Sequence, residues 1–172
     1  MRKVDLVTKL LDLETSIIHG LKPISDAGLD GIYKIFTMLE VENAVNVLLK
    51  DVFKDLYLEN VTPYCEGSET KEEFTERLIH IKHDLADDIS PDEKLELTSV
   101  LLEMEQERYQ TYKTFSDLGV SFDILPTMDA LYDFINQLIN IDVGDAIHVY
   151  TDGEISKQEI LDFISDKWAK KI

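Results

Sequence analysis

The fold is decided at five residues, Ile89-Ser90-Pro91-Asp92-Glu93, which mark a turn between two helical patterns. Pro91 disfavours a helical conformation of Ser90 and suits the first position of a new helix. Ser90 can then cap that helix, while the carboxylate of Glu93 reaches back to the N–H of the cap. Because the connection is short, the sequence predicts a central antiparallel αα-hairpin over residues 68–118.

Apolar residues on both sides of this turn recur at three- and four-residue intervals, the spacing of one buried helix face. Similar spacing runs through most of the chain and predicts a mainly α fold. We expect a single helical domain over residues 1–172, a bundle of about six helices, with 121–172 as an alternative C-terminal subdomain. The apolar stripes of the predicted hairpin are Phe74, Leu78, Ile81 and Leu85, then Leu97, Leu101, Met104, Phe115 and Leu118.

Helices outside the hairpin are predicted from the same periodicity. The most apolar stretch, residues 32–60, is either one long core helix or two helices that meet near residues 40–43. Residues 60–69 are predicted to form a loop. Thr127 is expected to cap one helix, and Ser156–Glu159 forms a second capping box at the start of the last. The predicted helices outside the hairpin span residues 3–19, 32–60, 128–140 and 157–169.

The hydrophobic period changes near the C-terminus. Ile147, Val149 and Thr151 stand at alternate positions, the pattern of one face of a β-strand, and Asp152-Gly153 follows them directly. Asp-Gly between strand-like residues is typical of a tight hairpin. The sequence therefore predicts a small β-turn here, with Glu154-Ile155 as the return strand.

Charge is the strongest feature of the composition. The chain has 17 basic and 35 acidic residues, a net charge of −18. Residues 61–120 hold 6 basic and 15 acidic residues, a net charge of −9. An excess of this sign repels nucleic-acid phosphates and anionic membrane surfaces, so neither is expected as a direct partner. It permits a basic protein partner, a metal cation, or no role beyond solubility.

The compartment is predicted from a single cysteine and from hydropathy. Cys65 is the only cysteine, so no internal disulfide forms, as is typical of a reducing environment. No apolar run is long enough to span a bilayer, and the N-terminus does not resemble a signal peptide. We therefore expect a cytoplasmic protein. Acidic neighbours should raise the pKa of Cys65, which argues against a catalytic thiol.

Two pairs of metal-ligand type lie in the first hairpin helix. His80 with Asp84, and His83 with Asp87, are four residues apart and would share a helix face. Neither a zinc motif nor a di-iron motif surrounds them. A solvated polar face is therefore favoured over a metal site.

Arg108 occupies an unusual place in the second hairpin helix. It falls within the apolar stripe, between Met104 and Phe115. We expect it either to pair with a carboxylate of a neighbouring helix or to cover apolar surface with its aliphatic stem.

The segment from Asp152 to Glu159 resembles the second half of an EF-hand calcium loop. Asp152 matches a ligand, Gly153 the turn glycine and Glu159 the bidentate glutamate. The first two ligand positions fall on His148 and Tyr150, which supply no carboxylate. A turn followed by a capped helix needs the same residues, so this interpretation is favoured and no metal or cofactor is predicted. The metal candidates that the resemblance implies are Asp152, Glu154 and Glu159.

No motif in the sequence has the pattern of a catalytic site, so no enzymatic activity is predicted. We expect a non-enzymatic acidic interaction protein, a small regulatory, adaptor or assembly-chaperone factor. In its general character the sequence resembles those of small accessory proteins of phages. Two alternatives are a DNA-mimic inhibitor of a nucleic-acid-binding protein and an EF-hand-like cation-binding protein. The oligomeric state is not predicted. The residues expected to contact the partner are Glu96, Glu103, Glu107, Tyr109 and Tyr112.

Overall fold

The computed structural model describes residues 1–20, 30–49, 57–119 and 125–171. These residues form eight α-helices and no β-strand, apart from one isolated bridge between Arg2 and Asp88. A 3₁₀ turn at His83–Ala86 precedes the fifth helix. The helices are α1 Lys3–Gly20, α2 Asp30–Leu49, α3 Tyr57–Cys65, α4 Lys71–Ile81, α5 Pro91–Asp117, α6 Leu125–Ile139, α7 Gly144–Thr151 and α8 Lys157–Lys171. The predicted mainly α bundle is therefore confirmed.

Four helices enclose the core in a closed ring. α1 packs against α2, α2 against α5, α5 against α6, and α6 against α1. α3 and α4 lie on the outside of α1, whereas α7 and α8 lie on the outside of α5. The ring buries a continuous apolar cluster that includes Val7, Leu10, Leu11, Val45, Leu48, Leu101, Leu131 and Ile135. Burial of this surface is the main source of stability in such a bundle.

The turn at Ser90 forms as the sequence predicts. Ser90 has an extended backbone, and its hydroxyl accepts a hydrogen bond from the N–H of Glu93 at 3.3 Å. The Glu93 carboxylate accepts one from the N–H of Ser90 at 3.0 Å. Pro91 is the first residue of α5. Gly119, with φ +73°, follows the C-cap residue Leu118 at the end of the same helix.

The predicted pairing of the two flanking helices is wrong. α4 packs against α1, whereas α5 packs mainly against α2 and α6. The connection is also longer than expected, because α4 ends at Ile81 and the backbone of Lys82 is extended. The chain before Ser90 pairs with the N-terminus instead, where Lys3 N–H donates to the carbonyl of Asp87 at 2.9 Å. This pairing holds the two helices apart.

The side chains of the predicted stripes divide accordingly. Phe74, Leu78, Leu85, Leu97, Leu101 and Met104 are buried, as predicted. Ile81 is 48% exposed because it is the last residue of α4, and Leu118 is 71% exposed because it follows the end of α5. Both were expected in the core. The side chain of Phe115 lies outside the described residues.

The predicted β-turn near the C-terminus is also wrong, because residues 144–151 form α7. Ile147, Tyr150 and Thr151 are buried at helical spacing. Gly153, with φ +80°, ends this helix instead of turning a hairpin. Its N–H donates to Tyr150 and the N–H of Glu154 to Val149, the two bonds of a Schellman motif. Packing of α7 on α5 overrides the strand propensity of the segment.

Boundaries of three other helices differ from the predictions. α2 is continuous through residues 40–43, so no junction exists there. α3 runs to Cys65 through part of the predicted loop, and Gly67 ends it with a second Schellman motif. α6 already begins at Leu125, so Thr127 lies within the helix and does not cap it. Proline is tolerated in a first helical turn, which allows Pro126 in α6. The side chain of Met128 lies outside the described residues.

The last helix is placed by hydrogen bonds to the end of α6. Trp168 Nε1 donates to the carbonyl of Ile139 at 3.0 Å, and Lys171 Nζ donates to that of Asn140 at 2.6 Å. Asn140 has φ +51°, a left-handed conformation that asparagine tolerates. A cation near the C-terminus of a helix also interacts favourably with the negative end of the helix dipole. The predicted capping box of α8 is confirmed, with Ser156 N–H donating to Glu159 at 2.7 Å.

We expect Ser90→Ala to lower the free energy of unfolding by about 1 kcal/mol, because the N–H of Glu93 at the start of α5 loses the Ser90 hydroxyl as its acceptor. Chemical denaturation followed by circular dichroism measures the change. Ser116→Ala, an exposed serine in the last turn of the same helix, is the control and should change stability little. Equal stability of the two variants would contradict the structural role of the cap.

Candidate functional site

The acidic face of α5 consists of Glu96, Glu103 and Glu107, which are all exposed. Spacings of seven and four residues place these carboxylates along one side of the helix. The first and last are 11 residues apart, or about 16 Å along the helix axis. The other sides of α5 are covered by α2, α6, α7 and α8, so the acidic face is presented by a packed helix.

Glu103 has an internal role as well as an exposed position. Its carboxylate forms an ion pair with Lys157 at the start of α8. The side chain of Glu103 is still 55% exposed. Glu103 therefore links α5 to α8, whereas no ion pair with another described residue engages Glu96 or Glu107.

The two tyrosines expected at the partner site are half-buried. Tyr109 Oη donates a hydrogen bond to a carboxylate oxygen of Asp152 at 2.5 Å, and this contact raises the pKa of the tyrosine. Lys113 lies 5.6 Å from the centre of the Tyr109 ring. Tyr112 packs against the hydrophobic core. Both tyrosines thus hold α5 to its neighbours, and Asp152 has a partner within the fold.

A buried charge lies beneath the acidic face. Arg108 is only 2% exposed, and its positive charge acts on Glu40 of the neighbouring helix α2. Burial raises the pKa of Glu40 to about 7, while Arg108 lowers it and the carboxylates of Glu107 and Glu103 raise it further. Of the two alternatives for Arg108, pairing with a carboxylate of a neighbouring helix is supported by this interaction.

Tyr150 connects the acidic face to α7. It is 2% exposed, and its hydroxyl lies 3.1 Å from Oε1 of Gln106. Burial raises its pKa to about 12, and the charges of Glu103 and Glu107 act in the same direction. The negative field of the acidic face therefore reaches into the α5–α7 contact.

The calcium-loop candidates lie in a different geometry from an EF-hand. His148 and Tyr150, at the first ligand positions, belong to α7, so the segment cannot wrap a cation in the EF-hand manner. The Glu159 carboxylate accepts a hydrogen bond from the N–H of Ser156, and this contact with Ser156 lowers the pKa of Glu159. Glu154 is exposed. The residues that resemble the loop thus end one helix and start the next.

The histidine and aspartate pairs do not share a helix face. α4 ends at Ile81, so His83 and Asp84 lie in the 3₁₀ turn, and Asp84 pairs with Lys82 at 2.9 Å. In the described parts of the chain, no three His, Cys, Asp or Glu side chains are placed to hold a metal ion. The pKa of Cys65 is raised to about 11 by partial burial and then by Glu14 and other carboxylates, in the predicted direction.

Comparison with protein-family models, curated proteins and solved structures finds no match to this chain. Within the described ranges, no helix has the length and apolar character that a membrane crossing requires.

Sequence reasoning missed Glu40 as part of this site. A signal was present, since Glu40 lies within the most apolar stretch of the chain and Arg108 lies within an apolar stripe. Two isolated opposite charges in apolar helices favour a buried interaction between those helices. Their partnership depends on the packing of α2 against α5, which the sequence pattern does not specify.

The wild type should lose stability as the pH rises to neutral, because Glu40 ionises. We expect Glu40→Gln to lose less, because glutamine cannot ionise. The pKa of Glu40 is about 7 in the folded protein, above the ordinary value of 4.5. Its contribution to stability is thus complete below about pH 4.5 and is lost as the pH rises through 7. At pH 8 the variant should be more stable than the wild type by about 2 kcal/mol, with allowance for partial exposure.

Denaturation between pH 4.5 and 8 measures this difference. Glu96→Gln, which removes the same charge from the exposed face of α5, should leave the pH dependence unchanged. A difference between Glu40→Gln and wild type that stays constant with pH would contradict the assignment.

We do not expect calcium to bind with submicromolar affinity, because the residues that would form the first half of an EF-hand loop belong to α7. Isothermal titration calorimetry of the wild type and Glu159→Gln tests this. Tight binding in the wild type that is lost in Glu159→Gln would instead establish a cation site. Glu154→Gln, an exposed carboxylate near the same turn, is the matched variant.

Proposed function

We propose that this chain is a non-enzymatic acidic interaction protein, a regulatory, adaptor or assembly-chaperone factor of the cytoplasm, that binds a basic protein partner. The observation that carries the proposal is the acidic face of α5. Three exposed carboxylates lie in line on a helix that the core fixes in place. A fixed array of like charges attracts an oppositely charged partner at long range and restricts its orientation.

The distribution of basic residues supports the same function. Lys3 pairs with Glu93, Arg77 with Glu69, and Lys157 with Glu103. Lys167 and Lys171 donate to backbone carbonyls. Even with these contacts, the 35 acidic residues outnumber the 17 basic ones, and the net charge of −18 gives the protein a strong negative field.

A DNA-mimic inhibitor is the second candidate. It is favoured by the placement of three carboxylates along about 16 Å of one helix face. This candidate makes an additional demand, since its target must bind nucleic acid and the two ligands must compete for one groove.

The partner-binding test reverses charge on the acidic face without breaking the α5–α8 contact. Glu103→Lys is unsuitable, because it would set a second lysine against Lys157. We therefore expect Glu96→Lys with Glu107→Lys to weaken partner binding by about tenfold at low salt, with a smaller effect at high salt. Capture of partners by immobilised protein, followed by mass spectrometry, and then affinity measurement with the captured protein, checks this result.

The control is Asp162→Lys with Asp166→Lys, which makes the same charge change on exposed positions of α8. A basic protein that is captured by wild type and control but lost with the α5 reversal supports the proposal. Equal capture by all three folded proteins would place the interface elsewhere. Competition by a DNA duplex for the captured protein would favour the DNA-mimic function.

A further inference from the structure

The turn that follows α7 contains a chemically labile dipeptide, Asp152-Gly153. The side-chain carboxyl group of an aspartate can be attacked by the backbone nitrogen of the next residue, and a glycine at that position gives the least steric hindrance. The sequence has one other Asp-Gly pair, Asp30-Gly31, where α2 begins. Asp152, Gly153 and Glu154 are all exposed, so water reaches the turn.

Both groups that would react in this dipeptide are held by hydrogen bonds. The N–H of Gly153 donates to the carbonyl of Tyr150 at 3.0 Å, within the Schellman motif that ends α7. The carboxylate of Asp152 accepts a hydrogen bond from Tyr109 Oη at 2.5 Å. Tyr109 belongs to α5, so α7 holds the nucleophilic nitrogen while α5 holds the carboxyl group. Attack requires both hydrogen bonds to open.

The backbone of Asp152 also keeps the two reacting atoms apart. Its φ of −72° and ψ of −7° continue the helical conformation of α7. At this ψ the nitrogen of Gly153 is nearly eclipsed with the nitrogen of Asp152, and it therefore lies away from Cβ. A ring that joins the side chain to this nitrogen closes only after rotation about the Cα–C bond, which breaks the Schellman motif. The reaction therefore depends on local opening of the turn.

We propose that Asp152-Gly153 is a site of aspartate isomerisation, and that the hydrogen bond from Tyr109 controls its rate. The nitrogen of Gly153 attacks Cγ of Asp152, and a new N–Cγ bond forms. The proton of this nitrogen and the hydroxyl of the protonated carboxyl group leave as water, which gives a cyclic imide. Water then adds to the former backbone carbonyl, and the original peptide C–N bond breaks. The chain now runs through the side chain as isoaspartate, and water is the only co-reactant.

The product changes the contact between α7 and α5. Isoaspartate adds one methylene group to the backbone where α7 ends, so the two hydrogen bonds of the Schellman motif lose their geometry. The free carboxylate now starts from Cα, one carbon further back, and is drawn away from Tyr109. Isomerisation therefore detaches the end of α7 from α5.

The test measures isoaspartate at both Asp-Gly pairs by peptide mapping of the full chain during incubation at physiological temperature and pH. Tyr109→Phe keeps the aromatic ring and removes the hydroxyl. We expect isoaspartate to form at residue 152 about tenfold faster than in the wild type, the ratio that corresponds to one lost hydrogen bond to a charged group. The rate at Asp30 should not change. A synthetic peptide of residues 148–157 gives the rate without the fold.

Matched variants separate opening of this turn from a general loss of stability. Tyr112→Phe also removes a phenol hydroxyl from α5 and should leave the rate at residue 152 unchanged. Ser90→Ala weakens the start of the same helix, far along the chain from Tyr109, and should leave that rate unchanged as well. Asp152→Ser has no carboxyl group at this position and gives the background of the measurement.

Each of three outcomes would overturn the proposal. Equal rates at residue 152 in the wild type and Tyr109→Phe would show that Tyr109 does not control the reaction. Acceleration by Ser90→Ala as large as that by Tyr109→Phe would show that the reaction follows unfolding of the whole protein. Absence of isoaspartate at residue 152 in Tyr109→Phe, over a period in which the synthetic peptide converts, would exclude the site itself.

Discussion

Helix α5 has to bury apolar side chains against two neighbours at once, and this constraint organises the described structure. Leu97, Leu101 and Met104 are all buried, and α5 packs on both α2 and α6. α1 completes the ring from the opposite corner. Further helices cover the outer sides of both α1 and α5, so within the described residues one continuous apolar cluster is buried by helices alone. The cap at Ser90 fixes where α5 begins and therefore which of its residues face the core.

Placing two opposite charges beside this apolar ring has an energetic cost. Arg108 and Glu40 lie between α2 and α5, where removing either charge from water is unfavourable. The raised pKa of Glu40 shows that attraction by Arg108 does not fully offset burial and the repulsion from Glu103 and Glu107. The acidic face thus acts on the interior of the bundle as well as on solvent. A positively charged group that binds to this face would favour the ionised form of Glu40. Binding at the surface and the protonation of Glu40 are therefore coupled.

The sequence predicts what is local and misses what is distant. The capping boxes at Ser90 and Ser156 were predicted correctly, because each needs only residues three positions apart. The partner of α5 was predicted wrongly, because a short connection favours a hairpin only if nothing else binds the chain, and here Asp87 pairs with Lys3. α7 was mistaken for a strand since its β-branched residues have strand propensity, while burial of Tyr150 against α5 decides the outcome.

The candidate sites divide in the same way. The three glutamates of the acidic face could be read from helical spacing, because exposure of a polar helix face follows from its own sequence. The hydrogen bond between Tyr64 and Asp12 could not, since the two residues are 52 positions apart. Neither could the role of Glu103, whose partner Lys157 is 54 positions away. Such contacts require the arrangement of helices that periodicity alone leaves open.

The uneven use of positive charge links the fold to its proposed function. Cations in contact with carboxylates or carbonyls act over a few ångströms, where salt screens weakly, whereas the excess of negative charge acts over distances comparable with the Debye length. Lys3 and Glu93, at 12% and 10% side-chain exposure, are an example of the first kind. The acidic face of α5 is an example of the second. Rising salt should therefore weaken the long-range attraction of a basic partner well before it loosens the contacts that hold the bundle together, and it also relieves the mutual repulsion of the carboxylates. The same net charge of −18 that strains the compact state is what a basic partner would recognise.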